Sequence, residues 1–430
     1  MSQNGRVRAA ASVAGLVARR ELSRKFSQHV RKGFTSMSRP AVNTLIVLGA
    51  CVVYIVLGSI SGRTSINGGL GQDGPIYAAM VTNHDLRSAS AIDKVTPAFP
   101  LAAAVAYAAT GNVIRSFEQV NIIAFAVLVL AVCLILDAQS APPALKVCAA
   151  LTVTLLGLPS LTTAFDPGQP SLLAVALISF AVASCEWRNN LLAGIFHIGA
   201  TLASPVGIVA PLYGIWRQWR LRQRTPSALI VFLPALLVWL LVQYWARGGA
   251  AGLLDLTRLS RVHADAVFWT ESLFILLGAY FLVTAAGGLT ILLWSDPRWV
   301  RDAVSEKPEL LALVLPVIPF IATAGLDVPR TIPFLLPFWL LVLAAWARGR
   351  TASLTVPLAL ATGLTLLTQH PWVRLNDTNY FVDWFPYSVR AARVNVSDAG
   401  FSTTWRLRVF IAAGRLAAFV AWTRLERRSG

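Results

Sequence analysis

Long apolar segments separated by short charged ones run the length of this chain. The first, residues 41–60, has about the twenty residues that an α-helix needs to cross a bilayer. Further apolar segments follow at residues 97–111, 117–136, 147–164, 171–185, 191–212, 226–245, 268–293, 309–324, 331–347, 352–368 and 409–422. This pattern predicts an all-α polytopic membrane protein with about twelve transmembrane crossings.

Positive charge is concentrated between the apolar segments. The blocks that carry it are residues 217–224, 298–307, 348–350 and 424–428, and residues 1–40 are also basic. Because cytoplasmic loops of membrane proteins carry an excess of Lys and Arg, the blocks predict a multi-pass protein of a bacterial inner membrane with both termini in the cytoplasm. The long basic stretch before the first span is not typical of a cleavable signal peptide.

The middle of the chain allows two topologies. In one, residues 97–111 cross the membrane and residues 191–212 form a single span, which leaves Asp166 in the cytoplasm. In the other, residues 97–111 only dip in from the outer side, residues 191–212 break at "ASPVG" (residues 203–207), and the loop with Asp166 faces outward. A short first segment and a Ser-Pro-x-Gly sequence favour the second topology, but two half-length spans count against it. Hydropathy leaves both open.

The same features divide the chain into five regions. They are a basic cytoplasmic segment (residues 1–40), a first membrane module with an outer loop at 61–116 that bears short membrane-surface helices (41–224), a second module with an outer interfacial helix at 246–267 (225–368), an outer C-terminal loop (369–408), and a last span with a cytoplasmic tail (409–430).

Composition supports a membrane protein and argues against nucleic acid as a partner. Hydrophobic residues make up 56% of the chain and charged residues only 13%, against roughly 25% in soluble domains. The net charge of +17 lies in short blocks between spans, as membrane topology requires, rather than on one basic face. The four cysteines lie inside apolar segments and the five histidines are scattered, so we predict no disulfide framework and no metal site.

Two acidic turns are candidates for chemistry. Asp73 lies in "GLGQDGPIY" (residues 69–77), just outside the first predicted span. Its sequence is typical of an ordinary turn, but it also suits a carboxylate base beside backbone that a substrate can approach closely. Asp166 lies in "AFDPGQPSLL", where it either stabilises the N-terminus of the following helix or belongs to the same site.

Basic side chains near the outer side offer an anion site. Arg330, in "GLDVPRTIPFLLPF", either pairs with Asp327 at the end of a helix or holds a phosphate, because a planar guanidinium binds phosphate through two hydrogen bonds. Arg261 and His263 lie on the predicted interfacial helix, where they either contact the same anion or simply face the lipid headgroups.

The order of these features resembles the GT-C superfamily of membrane glycosyltransferases. A first span leads to "GQDGPIY", a proline-led short helix ("VTPAFPLAAAVAYAATG") and two spans, and then to "AFDPGQPSLLAVAL" and a helical pair broken by Ser and Pro. The first motif is similar to the Asp-Gly-x-x-Tyr loop of bacterial members. The second is similar to the Gly-Gln motif of the bacterial mannosyltransferase-like branch. The match covers residues 41–224, with Arg330 as a further point of contact.

The resemblance implies an inverting glycosyl transfer from a polyprenyl-phosphate sugar to the hydroxyl of a glycan, lipid or protein, on the outer face of the inner membrane. It also favours the second topology. Asp73 would be the general base and Asp166 a second catalytic carboxylate that orients the acceptor or holds a cation. The resemblance implies Tyr77, Gln169 and Arg330 as substrate-binding residues, and Arg261 and His263 stay candidates for the same anion by their place on the predicted interfacial helix.

Two departures from the family pattern refine this expectation. Gly74 follows Asp73 where many members have a second acid, so the loop offers a single base. This favours a mechanism without a divalent cation, with the lipid-linked sugar as the only cofactor-like partner. Some members carry a lysine where this chain has Ser204-Pro205, which removes one phosphate contact. The alternative functions are a transporter or flippase, or a non-catalytic assembly partner, for lipid-linked sugars.

Overall fold

A computed structural model describes residues 38–71, 74–83, 96–156, 160, 162–221, 231–246, 249, 288–289, 298–318, 332–348 and 355–369. Over this part the chain is mostly helical and has no strand, which confirms the all-α prediction there. The helices are α1 (Arg39–Ser61), α2 (Gly74–Asn83), α3 (Ala98–Thr110), α4 (Val113–Ala138), α5 (Pro143–Leu155), α6 (Ser171–Glu186), α7 (Asn190–Ala203), α8 (Val209–Arg220), α9 (Leu233–Ala246), α10 (Arg298–Glu306), α11 (Leu336–Arg348) and α12 (Thr355–Gln369).

Two of the described helices, α1 and α4, are long and apolar enough to cross a membrane, judged by length and composition alone. Shorter apolar helices of 10–17 residues accompany them, including α3, α5, α6, α7 and α9. The chain divides into two compact units, Met1–Ile46 and Val47–Gly430. In the first unit the described residues, 38–46, lead into and begin α1, and all packing discussed below lies within the second unit.

Helix α6 forms the centre of the second unit, where it packs against α4 and α7. Its sequence, "SLLAVALISFAVASCE", is apolar on every side, which is typical of a helix enclosed by others. Leu172, Val175, Ile178 and Val182 are all fully buried. Because small residues alternate with these larger ones, neighbouring helices can approach α6 closely.

Helices α7 and α8 form a hairpin that turns at the Ser-Pro sequence. Ser204 ends α7 in an extended conformation and its hydroxyl accepts a hydrogen bond from the backbone N–H of Val206, which starts a short 3₁₀ turn at Pro205–Ile208. At the open end of the hairpin, the side chain of Gln218 donates to that of Asn190 at 2.8 Å. The break expected in the second topology is therefore present.

Both ends of helix α3 lie at the start of helix α4. The Phe99 ring, in the first turn of α3, stacks on Phe117 with centroids 5.1 Å apart, and Thr110, the last residue of α3, has its hydroxyl 2.8 Å from that of Ser116. Helix α4 is about 39 Å long at 1.5 Å per residue. Since α3 touches the first turns of α4 at both ends, it does not run the length of α4, as the second topology also requires.

The ends of several helices meet in a polar cluster far from α3. Glu186, at the end of α6, accepts from Arg217 of α8 and from Lys307, and Gln139 follows the end of α4. Arg348, at the end of α11, donates to Gln139. Three of the predicted basic blocks thus contribute side chains to one end of the helices. We call this end the basic end.

Candidate active site

The chain leaves α1 through a loop of unusual backbone conformation. Asn67, Gly68, Gly69 and Gly71 all have positive φ angles, which glycine adopts without steric cost and which Asn tolerates better than most residues. The Asn67 side chain donates to the carbonyl of Gly71 at 2.8 Å and fixes this shape. The sequence "NGGLG" therefore builds a tightly curled loop with little side-chain bulk on its surface.

Hydrogen bonds from α4 and from the loop after α1 hold the second acidic loop, residues 165–170, in place. The Asn121 side chain of α4 donates to the carbonyl of Pro167 at 3.0 Å, and the backbone N–H of Thr64 donates to the carbonyl of Phe165 at 3.1 Å. The Gln169 side chain donates to Asp166 Oδ2 at 3.1 Å. Asp166 and Gln169 are 2% and 3% exposed, so both side chains belong to the interior of the loop.

The two glycine-containing loops interlock through their backbones. A Cβ atom added at Gly71 would overlap Asp166 Oδ1 and lie 2.6 Å from Oδ2. A Cβ atom added at Gly168 would lie 2.5 Å from the carbonyl oxygen of Leu70 and 2.6 Å from the Cα atom of Gly74. Each loop thus fits the other only because glycine stands at these positions. The structure brings together the two segments that the sequence identified as candidates for chemistry.

Asp73 itself lies outside the described residues. Gln72 also lies outside, but the residues on either side of this pair do not: Gly71 lies against the carboxylate of Asp166, and Gly74, which begins α2, lies against Gly168. The candidate base therefore belongs to a segment that is anchored on both sides by the second acidic loop.

Tyr77 belongs to an apolar cluster beside the loops. Its side chain is buried, its ring meets Phe99 edge to face at 5.5 Å, and its hydroxyl lies 2.9 Å from that of Thr96. These contacts join α2 to the start of α3. In this structure the residue holds the first loop region together, and its predicted contact with substrate remains a prediction.

The predicted anion-binding residues Arg261, His263 and Arg330 lie outside the described part of the chain. Ile332, two residues after Arg330, begins a 3₁₀ helix (Ile332–Leu335) that contacts α6. Helix α11 follows it and reaches the basic end at Arg348, where α6 also ends. Because α6 and α11 thus run in the same direction, the start of α11 lies toward the end of α6 that carries the second acidic loop.

The sequence did not predict the buried network around Glu186. The Glu186 carboxylate accepts from the Tyr213 hydroxyl at 2.5 Å and from Arg217 Nε at 2.7 Å. Burial alone would raise the pKa of Glu186, but the charges of Arg217 and Lys307 outweigh it and hold the pKa below its usual value. A glutamate that directly follows an apolar segment was the available signal, because such a charge needs a partner.

Comparison with known proteins adds no relative: no protein-family model, curated protein or solved structure matches the chain. Among the residues that the structure describes, no three His, Cys, Asp or Glu side chains are grouped to hold a metal ion.

Proposed function

We propose that this protein is an integral membrane glycosyltransferase that moves a sugar from a polyprenyl phosphate to an acceptor hydroxyl, with inversion at the sugar carbon. The interlocked loops carry the proposal. Two acidic segments lie far apart in the sequence, and the GT-C resemblance implies that they share a site. Gly71 and Gly74 of one pack on Asp166 and Gly168 of the other.

In the proposed reaction Asp73 accepts the proton of the acceptor hydroxyl, whose oxygen forms a bond to the sugar carbon. The bond between that carbon and the phosphate oxygen breaks on the opposite face, and the polyprenyl phosphate leaves with the electron pair. A placed base supplies roughly 10²- to 10⁴-fold in rate. Arg330 stabilises the charge that develops on the phosphate, and the curled glycine backbone lets the acceptor approach Asp73.

Asp166 acts as a positioning residue in this scheme. The Asp166 carboxylate is buried against Gly71 and accepts a hydrogen bond from Gln169. Asp166 therefore sets the shape of the loop that carries the base. From the sequence, Asp166 was expected either to orient the acceptor or to hold a cation. The proposal instead gives it the role of positioning the first loop.

The distribution of charge supports chemistry at a surface over transport along a path. In the described part of the chain, the buried Asp, Glu, Lys and Arg side chains lie in two places, and one histidine, His197, is buried within α7. Asp166 lies at one end of α6, and Asp137, Lys146, Glu186, Arg217 and Glu309 lie at or near the basic end. Transporters and pumps, by contrast, place such groups along a pathway at bilayer depth.

The arrangement of the helices also supports the second topology, in which the acidic loops lie outside; about twelve crossings are part of the proposal. Asp166 precedes α6 and the basic cluster follows it, about 24 Å away at 1.5 Å per residue. If the basic blocks are cytoplasmic, as their charge predicts, both interlocked loops face outward. The proposed location is the inner membrane of a bacterium.

The test compares Asp73→Asn with Asp85→Asn, which makes the same charge change in the same predicted outer loop. Deletion of the gene is expected to change lipid-linked sugars or envelope polysaccharide, and both wild type and Asp85→Asn are expected to restore them. Asp73→Asn is expected to insert normally and to restore nothing. If Asp73→Asn restores the glycans fully, the base assignment is wrong and a non-catalytic role is favoured. If deletion changes no glycan, the proposed reaction is wrong.

A further inference from the structure

A cleft of about 550 Å³ opens at the basic end, away from the interlocked loops. Its walls come from three separate segments: the end of α8, helix α10 with the residue after it, and the end of α11. Three of the residues that line the cleft are cationic, namely Arg220, Lys307 and Arg348, and Trp299 contributes an aromatic face. Side chains far apart in the sequence thus converge on one concave surface.

The cations of this cleft are incompletely neutralised. Lys307 Nζ and Arg348 Nη1 both donate to the same neutral acceptor, Gln139 Oε1, at 2.9 and 3.2 Å. Lys307 shares its carboxylate partner, Glu186, with Arg217, and no ion pair joins Arg348 to a carboxylate of the described residues. Two positive groups therefore converge on one amide oxygen, and the Glu186 carboxylate near Lys307 is shared with Arg217.

Burial, more than the neighbouring charges, sets the electrostatics of Lys307. Burial lowers the pKa of Lys307; Glu186 opposes that shift, and the guanidinium groups of Arg217 and Arg348 add to it. An anion placed between Lys307 and Arg348 would relieve their repulsion and supply the acceptor oxygens that one amide cannot. Phosphate suits this position because the Arg348 guanidinium can donate two parallel hydrogen bonds to it and the Lys307 ammonium contributes a compact positive charge.

The remaining residues of the cleft are compatible with such a ligand. Arg220 is held in place by Glu309, with Nε 2.8 Å from Oε2, and donates to the backbone carbonyl of Glu306 at 3.0 Å. Asp302 is paired with Arg301, which lies outside the cleft lining. This leaves the Glu306 carboxylate as the one acid in the lining with no described side-chain partner, and it opposes anion binding.

We propose that this cleft binds a phosphate group, carried by the headgroup of an anionic phospholipid or by a soluble phosphorylated molecule. Basic pockets between helices on the cytoplasmic side of membrane proteins bind phosphate headgroups, and tryptophan is enriched at the level of those headgroups. The site rests on described contacts within the second unit and is independent of the proposed glycosyl transfer.

The test uses the full-length protein in phosphatidylcholine nanodiscs with increasing phosphatidylglycerol, and a parallel titration with inorganic phosphate. The variants are Arg348→Gln, which removes the incompletely paired charge, and Arg188→Gln, which makes the same change on an exposed side chain just after α6, outside the lining. Retained lipid is counted by native mass spectrometry, and phosphate binding is followed by the shift in melting temperature.

Arg348→Gln is expected to weaken binding roughly fivefold or more, and Arg188→Gln to leave it near wild type. Glu306→Gln provides a second measurement that does not depend on the first variant folding, and it is expected to tighten binding. Loss with phosphatidylglycerol alone identifies a lipid headgroup, and loss in both titrations identifies phosphate itself. If Arg348→Gln and Arg188→Gln behave alike, or if Glu306→Gln has no effect, the cleft is not a binding site.

Discussion

Gly71 lies so close to the carboxylate of Asp166 that a methyl group added to it would overlap Oδ1. This relationship joins the first loop, which carries the candidate base, to the second loop, which starts the central helix. The glycines of "GLGQDGPIY" therefore allow close packing against the second loop, in addition to the turn that Asp-Gly-Pro predicts.

Gly71→Ala is expected to destabilise the protein by more than Gly68→Ala. Both glycines have positive φ angles, +79° and +67°, so alanine is strained at both, by about 1–2 kcal/mol. An added Cβ at Gly68 meets nothing within 4 Å, whereas at Gly71 it overlaps Asp166, which adds about 1–3 kcal/mol. Melting temperatures of the two variants in the same detergent measure the difference. Equal melting temperatures would contradict the interlock.

Gly207→Ala is expected to disrupt the α7–α8 hairpin. A Cβ there would overlap the carbonyl of Ala200 and lie 2.8 Å from the backbone nitrogen of Thr201, and backbone cannot move aside as a side chain does. Gly199→Ala is the control, because its Cβ would lie 3.5 Å from Leu177 in ordinary contact. Since alanine favours a helix over glycine by about 1 kcal/mol, the control is expected to be neutral or stabilising. The melting temperature should therefore fall in Gly207→Ala and stay unchanged or rise in Gly199→Ala.

Glu186→Gln is expected to cost about 3–5 kcal/mol, because it leaves Arg217 buried without its partner. Glu118→Gln, at the partly exposed pair with Arg63, is expected to change stability by less than about 1 kcal/mol. Small effects from both variants would show that the buried network contributes little.

The Glu186 network is also expected to make stability depend on pH. The pKa of Glu186 is lower in the folded state than in the unfolded chain, where it is about 4.3. Its contribution is therefore fully present above about pH 4.3 and is lost as the pH falls through the folded-state pKa. Melting curves at decreasing pH should show a smaller acid-induced loss in Glu186→Gln than in wild type.

Cysteines at Arg115 and Ala144 are expected to be labelled from opposite sides of the membrane. Both positions are exposed; the first lies at the start of α4 and the second follows its end. Arg115→Cys should react with an impermeant thiol reagent in intact cells, and Ala144→Cys only after the membrane is opened. The wild type is the background control, because its cysteines are buried or half-buried. Labelling of both positions from one side would exclude the proposed topology.

The sequence predicted the features that follow from local chemistry. The break at Ser204-Pro205 was predicted as one of two alternatives, because proline and an extended serine interrupt a helix wherever they occur. The basic blocks were predicted to share a side, and described residues from three of them do meet at one end. About twelve crossings, the interfacial helix at 246–267, the outer loop at 369–408 and the last span at 409–430 stay predictions, since most of their residues lie outside the described part.

The contacts between distant segments were beyond such reasoning. Nothing in the sequence shows that Gly71 lies against Asp166 or that Gly168 lies against Leu70 and Gly74, because these contacts depend on how α4 and α5 return the chain. Glu186 was missed for a similar reason: its partners Arg217 and Lys307 were interpreted only as cytoplasmic charge. Sequence patterns identify charged loops and breaks in helices, whereas the pairing of buried charges depends on how the helices pack.

The interlocked loops also constrain how the protein is assembled. The first loop leaves the ribosome well before the second, and α4 and α5 must be inserted between them. Until Gly168 arrives, the segment that carries the candidate base has no surface to close against. We therefore expect the chain to be inactive in the proposed reaction before the start of α6 is inserted, and to need the later segment with Arg330 as well.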